Sequence, residues 1–260
     1  MGGIVGYIGD KGAGPLLLEG LKRLEYRGYD SAGVAVMNGN GVETRKAAGK
    51  ISRLETVLNA LPIAGTVGIA HTRWATHGAP NECNAHPHVS MDGTVAVVHN
   101  GIIENFTLLR SKLQALGYKF VSETDTEVLA HLIQEAYEDS LEQAVMDALS
   151  QVEGTYGIAV VSSRDPNKLV AARQGSPLLI GLGEGEYYVA SDVSAILAHT
   201  RQVVYLDDGD IAVLDRKGYR VFDNDAREMR RSVSKVDWDL GQIERGGYSH
   251  FMLKEIFEQP

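Results

Sequence analysis

Cysteine is almost missing from this chain: Cys83 stands alone among 260 residues. An intrachain disulfide framework is thereby excluded, and the usage fits a reducing, cytoplasmic setting. Positive charge is also scarce. Lys and Arg number 25 against 34 Asp and Glu, for a formal net charge of −9. The basic face that nucleic acid or an anionic membrane surface requires is therefore not provided. No apolar run approaches the roughly 20 residues of a membrane span, and the N-terminus lacks a basic-then-apolar signal pattern. No G-x-x-x-x-G-K-[ST] phosphate loop occurs, while Gly12-x-Gly14 and Gly181-x-Gly183-x-Gly185 are too loose to serve as one. Nothing in the chain implies a cofactor.

Glycine, by contrast, is abundant. Its 29 residues exceed the usual share of about 7% and imply many tight turns between short strands. Hydrophobic residues make up 44% and charged ones 23%, ordinary for a globular protein long enough to bury a large core.

Gly2-Gly-Ile-Val-Gly-Tyr-Ile-Gly9 reads as a small apolar core strand at the very terminus, where chains usually fray. Pro15, at a first helical position, opens a helix carrying Leu16, Leu17, Leu21 and Leu24. A polar loop, Tyr26-Arg-Gly-Tyr-Asp-Ser-Ala-Gly33, leads into a strand over 34–37. Asn38-Gly-Asn-Gly41 then makes a hairpin turn into 42–46. Helical spacing recurs over 50–61, then from Phe106 to Leu116 with Gly117 as its cap, and over 141–152. Ser122-x-x-Asp125 and Thr124-x-x-Glu127 both look like helix starts ahead of 128–133. Strands follow over 156–161, 169–172, 178–181, 187–190, 203–206, 211–214 and 219–222, most of them separated by turn signals. Strands, helices and strands in one block predict an α+β layered domain with mainly antiparallel sheet. Its core spans 1–223. Residues 224–260 form a polar C-terminal segment of the same domain, with a short amphipathic stretch at 250–258 that ends as if cut at a domain boundary.

The chemistry concentrates in His71-Thr-Arg-Trp-Ala-Thr-His-Gly78 and Val98-His-Asn-Gly101. Each follows a short apolar run, 66–70 and 94–98, and strand ends deliver side chains rigidly. The guanidinium of Arg73 can grip a carboxylate bidentately, or make an ordinary surface ion pair. Asp125 can bind an ammonium group, or start a helix. Together the two can hold both charged ends of a free amino acid. Asn100 and Gly101 offer an amide NH2 and an unobstructed backbone N–H, the parts of an oxyanion hole, or else a hairpin turn. Five histidines lie between His71 and His99, with His86-Pro-His88 the tightest pair. No cysteine pair or H-E-x-x-H accompanies them, so no metal site is expected. Trp74 reads as a gate or a packing residue, and Cys83, without a base, as an incidental thiol.

These blocks resemble the class II glutamine amidotransferases of the N-terminal-nucleophile hydrolase superfamily. The likeness runs through Gly3-Ile-Val-Gly6, the 26–33 and 71–78 motifs, Asn84-Ala-His-Pro-His88 and His99-Asn-Gly-Ile-Ile-Glu-Asn105. It continues in Ser122-Glu-Thr-Asp-Thr-Glu127, Arg173-Gln-Gly-Ser-Pro177 and Lys254-Glu-Ile-Phe-Glu-Gln-Pro260, covering essentially the whole chain. Glu25-Tyr-Arg-Gly-Tyr-Asp30 and the 254–260 block point to the glutaminase domain of the enzymes that aminate fructose 6-phosphate. They argue against amidophosphoribosyltransferase or asparagine synthetase relatives.

The resemblance implies a four-layer αββα sandwich and L-glutamine as substrate, hydrolysed to glutamate and ammonia. Arg73 is implied for the glutamine α-carboxylate, Asp125 for its α-amino group, and Asn100 with Gly101 for the oxyanion hole. Thr76 and His77 belong to a loop closing over glutamine, His86 joins the substrate-binding set, Trp74 gates an ammonia channel, and Arg27 organises the N-terminal site. Fructose 6-phosphate binds only to sugar-isomerase lobes absent from this chain, and the full-length family is expected to be a homodimer. One position departs from the pattern. The family carries its nucleophilic cysteine directly after the initiator methionine; here that place holds Gly2, still preceded by Met1. A chain that binds glutamine without hydrolysing it is the expectation. A deliberate replacement accounts for so intact a remainder, and a natural glutamine-binding pseudo-domain is the alternative.

Overall fold

The terminal apolar strand is present as β1 (Gly3–Ile8), and every one of its residues is buried. It lies in the middle of a sheet rather than at an edge, which ties down a terminus that would otherwise fray. The computed structural model describes residues 2–237 and 256–257. The amphipathic stretch expected at 250–258 lies outside them except for Ile256 and Phe257. After β1 come α1 (Ala13–Arg23), β2 (Ser31–Asn38), β3 (Gly41–Ala48), α2 (Ile51–Ala60), β4 (Val67–Arg73), β5 (His88–Val89) and β6 (Val95–Ile103). Three helices follow, α3 (Phe106–Ala115), α4 (Glu127–Glu135) and α5 (Leu141–Leu149). The described strands that follow are β7 (Gly154–Ser162), β8 (Leu169–Gln174), β9 (Leu179–Leu182), β10 (Tyr187–Ala190), β11 (Gln202–Tyr205), β12 (Ile211–Asp215), β13 (Gly218–Phe222), β14 (Glu228–Met229) and β15 (Ser234–Lys235), with a short 3-10 turn at Val193–Ala195.

Two sheets result, ordered β15-β11-β9-β10-β1-β4-β2-β3 and β14-β13-β12-β8-β7-β6-β5. The strand pairings are antiparallel throughout. Three apolar layers hold them. Leu17, Leu21, Ile51 and Leu54 of α1 and α2 cover the first sheet. Ile4, Ile69, Val98, Ala159 and Ile180 fill the space between the sheets. Leu113, Leu129, Ile133 and Val145 of α3–α5 cover the second. The order is helix, sheet, sheet, helix, the αββα sandwich that the resemblance implies.

Several local expectations need correction. α1 begins at Ala13 after Gly12, so Pro15 is its third residue; the N–H it lacks is still one of the first-turn groups with no intrahelical acceptor. Ser122 and Thr124 do not start α4. That helix begins at Glu127 behind Thr126, and the preceding turn is organised by the Glu127 carboxylate instead. β5, β14 and β15 have no counterpart among the expected strands, because two-residue strands carry no readable alternation. β15 pairs with β11, and Val236 beyond it is buried in the core under α1 and α2.

Candidate functional site

The start of β1 and the ends of β4 and β6 meet at one end of the sandwich. Gly3 pairs with Thr72, so residue 2 lies beside the end of β4. β6, in the facing sheet, delivers His99, Asn100 and Gly101 within its pairing to β7. Asn100 and Gly101 are thus strand residues, and the hairpin-turn reading of Asn-Gly is excluded. Gly101 has φ +135°, and a side chain there would overlap the Thr155 carbonyl, so glycine is required on steric grounds. Gly33 of β2 plays a similar part: a Cβ there would run into the His86 carbonyl. Its absence lets the His86 segment lie against the sheet.

A cavity of about 40 Å³ opens here, lined by Gly2, His71, Arg73, Trp74, Thr76, His86, His99, Asn100, Gly101, Thr124, Asp125 and Thr126. The Asn100 amide is engaged on both sides. Its Nδ2 donates to the Gly2 carbonyl at 2.9 Å, and its Oδ1 faces His71 Nε2 at 3.0 Å. Arg73 is 4% exposed and donates to the carbonyls of His77, Gly78 and Ala79. Burial lowers its pKa, while Asp30 and Asp125 oppose the shift. Asp30 also accepts from Ala75 N at 2.8 Å, so the loop after β4 is strapped at two points. Asp125 is buried and accepts from Ile103 N at 2.9 Å. Its carboxylate faces β6 rather than capping the helix beside it.

The 121–126 turn that presents Asp125 is held by Glu127, which accepts from Val121 N at 2.8 Å, Ser122 N at 2.7 Å and Ser122 Oγ at 2.7 Å. Burial alone would raise the Glu127 pKa. The nearby His131 together with hydrogen bonds from Val121 and Ser122 outweighs it and brings the value down to about 2. A carboxyl depressed on folding stabilises fully above its unfolded value of about 4.3, and the contribution is lost as pH falls through the folded value. Glu127→Gln should therefore cost on the order of 3 kcal/mol at neutral pH, and the gap to the parent should close between about pH 5 and 2. Urea unfolding of both chains across that range checks it; a gap that stays constant removes the linkage.

The histidines form a buried stack. His71 and His86 are face to face at 4.2 Å, and His86 meets His88 edge-on at 4.8 Å. Several of their nitrogens are committed within the protein: His99 Nδ1 to Thr126 Oγ1 at 2.9 Å, His88 Nε2 to Thr124 Oγ1 at 3.0 Å, and His86 Nδ1 accepting from His99 N at 3.2 Å. Burial lowers the pKa of all four, that of His71 to about 3, so the stack is neutral at physiological pH. Among the described residues no group of three or more His, Cys, Asp or Glu is arranged to hold a metal ion.

Not every residue expected at the site reaches it. His77 contributes its backbone carbonyl to Arg73, while its ring packs edge-on against Phe106 at 5.7 Å. Arg27 is paired with Asp192 at 3.1 Å and lines a separate cavity of about 260 Å³ beside Ser191. Ser191 in turn accepts from Ile4 N at 2.9 Å through its Oγ. Trp74 does line the cavity, but it is 48% exposed and stands edge-on to Tyr29 at 5.6 Å. Conversely, His71, His99, Thr124 and Thr126 line the cavity, although the sequence assigns them no role there. Ser122-x-x-Asp125 and Thr124-x-x-Glu127 read as helix starts, since a cap and a cavity hydroxyl look alike in a sequence. Position within the 71–78 and 98–101 motifs is the only signal for the two histidines.

Known proteins resemble this chain. A family profile described as a glutamine amidotransferase domain matches residues 59–237. The chain is 54% identical over 260 residues to a glutamine–fructose-6-phosphate aminotransferase (isomerizing) of Clostridium tetani, and 52% identical to one of Thermus thermophilus. In both cases all of this chain but 43% of the relative is covered, so the chain spans less than half the length of these relatives. Among solved structures, the glutamine phosphoribosylpyrophosphate amidotransferase of B. subtilis superposes with a TM-score of 0.75 at 26% identity, covering 88% of this chain and 50% of that one. A glutamine aminotransferase class-II domain protein of Silicibacter pomeroyi, at 18% identity and TM-score 0.59, covers 85% of this chain and 98% of its own and shares the fold.

Proposed function

The chain belongs to the glutamine amidotransferase domain family, and from that premise we propose that it binds L-glutamine at the Arg73–Asp125 cavity without hydrolysing it. What supports this reading is the convergence of Arg73, Asp125, Asn100 and Gly101 with residue 2 around one cavity. A buried cation and a buried anion in a neutral, histidine-lined wall suit the two charged ends of a free amino acid. The carboxamide then lies toward Asn100, Gly101 and residue 2. By family, a nucleophile at residue 2 would attack the δ-carbonyl, and the ammonia released would pass to a fused module that aminates fructose 6-phosphate. Gly2 supplies no nucleophile. Whether the chain descends from such an enzyme or is a natural pseudo-domain is decided by restoring cysteine.

The cavity has room for a few waters rather than an amino acid. Glutamine therefore enters by displacing the 74–79 loop outward, and its carboxylate replaces loop carbonyls on Arg73. A bidentate carboxylate is a stronger partner for guanidinium than neutral carbonyls. Losing one partner of a buried charge contact costs about 2–5 kcal/mol, so Arg73→Ala should weaken glutamine by roughly 30-fold or more. Calorimetry of the parent and of Arg73→Ala with glutamine tests both statements. No heat of binding in the parent defeats the proposed ligand; equal affinity in the variant defeats the clamp.

A further inference from the structure

The Gly2 carbonyl can only accept a hydrogen bond. The Asn100 atom that faces it at 2.9 Å must therefore be Nδ2, and this settles an amide orientation that geometry alone leaves open. The opposite end of the amide, Oδ1, then faces His71 Nε2 at 3.0 Å. An amide oxygen also only accepts, so Nε2 must carry hydrogen. A neutral imidazole carries one such hydrogen, which leaves Nδ1 bare, and Nδ1 is indeed buried with no partner. The imidazolium would place a second N–H at Nδ1, buried and unanswered, a costly arrangement. Burial, aided by the His99 and Arg73 charges, brings the pKa down to about 3, against the opposing pull of the Asn100 bond and of the His99 backbone. The ring cannot drift: β4 is paired on both sides at this residue, with Ile4 and Gly33, and the imidazole is stacked on His86.

We propose that His71 is a positioning residue for amide hydrolysis at this site, its Nε2–H locking the Asn100 amide with the NH2 group toward residue 2 and the cavity. One Nδ2 hydrogen serves the Gly2 carbonyl and the other remains for a substrate oxygen. Without the His71 donor, rotation of the amide by half a turn would set Oδ1 against the Gly2 carbonyl and against any developing oxyanion. The lock thus serves the transition state rather than the bound substrate. The kinetic half of the proposal rests on the glutaminase reading above; the tautomer and the lock do not.

The first test uses the chain as it is. Long-range 15N–1H spectra of the imidazoles should show His71 as the Nε2–H tautomer, unchanged between about pH 5 and 8. A Nδ1–H tautomer, or titration in that range, overturns the proposal. In His71→Phe, which keeps a ring to stack on His86, the Asn100 side-chain protons should exchange with water at least about ten times faster than in the parent, as expected once a buried partner is lost; unchanged exchange overturns the lock. The second test uses the Gly2→Cys form. There His71→Phe should lower kcat by about 10–100-fold, the scale of a misplaced catalytic group, with KM within about threefold. His71→Gln, which restores an N–H donor, should recover part of the loss. Equal kcat in His71→Phe, or a loss seen in KM alone, overturns the positioning role. A Gly2→Cys parent without activity counts against the glutaminase reading, and the spectra then decide the lock by themselves.

Discussion

A Gly2→Cys variant with Met1 removed should release glutamate and ammonia from glutamine, and the present chain should release neither at a measurable rate. The expected gap is on the order of 10⁴-fold or more, because removing the nucleophile of a cooperating unit leaves only binding and oxyanion contributions. Thiol and free α-amine would both come from the terminal residue. An α-amine of pKa about 7.7–8.0 is suited to take the thiol proton near neutral pH. It must be unprotonated to act as base, so kcat/KM should rise with pH through that range. The same variant with Met1 retained has that amine tied up in a peptide bond and should stay inactive.

The geometry at Gly2 sharpens the requirement. A Cβ built on Gly2 where it now lies would overlap the Thr72 carbonyl and stand 2.8 Å from His71 Cε1. Cysteine can be admitted only if residue 2 shifts, and cleavage of Met1 leaves that residue tethered on one side only. The measurement is a glutaminase assay beside the mass of the N-terminal peptide. Glutamate release by the Gly2 chain at a rate near that of the cysteine form would sink the idea. So would a Gly2→Cys chain, verified to begin at that cysteine, that binds glutamine and does not turn it over. Cys83 offers no escape: it is exposed, donates to the Val121 carbonyl and does not line the cavity.

How much of this is legible in the sequence depends on the length of the signal. Strands of four residues or more and the five α-helices follow from apolar period and turn residues, since several positions vote together. β5, β14 and β15 do not, because a two-residue strand exists only through its partner. The site divides similarly. Arg73, Asn100, Gly101 and Asp125 stand at strand ends or beside a helix start, where residue type and placement both point to function. Only three-dimensional partners exclude the bland alternatives, the helix cap for Asp125 through Ile103 N and the hairpin turn for Asn100 through pairing with β7. The neutral histidine stack is invisible in the sequence. Five histidines between His71 and His99 invite a metal reading that the missing cysteine pair and H-E-x-x-H argue against, but only their burial and mutual contacts show the stack itself. Arg27 is a motif residue whose pairing with Asp192, distant in the chain, only the fold reveals.

Asn100→Ala in the Gly2→Cys background should lower kcat by about 10²–10³, the cost of one oxyanion-hole donor. Glutamine affinity should change little, because the donor meets a neutral carbonyl in the complex and a full negative charge only afterwards. Loss of stability does not separate this reading from a structural one. The amide bridges Gly2 O and His71 Nε2, so alanine leaves an acceptor and a donor unpaired in a buried place, at about 1–3 kcal/mol. Asn100→Asp discriminates. It keeps the shape and the acceptor for His71, but it replaces the NH2 group with a carboxylate oxygen against the Gly2 carbonyl and the developing oxyanion. If Asn100 merely braces the two strands, turnover in both variants should stay near that of the parent well below their melting temperatures. If the NH2 group serves the transition state, aspartate should be at least as inactive as alanine. Steady-state kinetics of the three chains, read beside their melting temperatures, decides: turnover in Asn100→Asp within a few-fold of the parent leaves no place for an oxyanion donor at this residue.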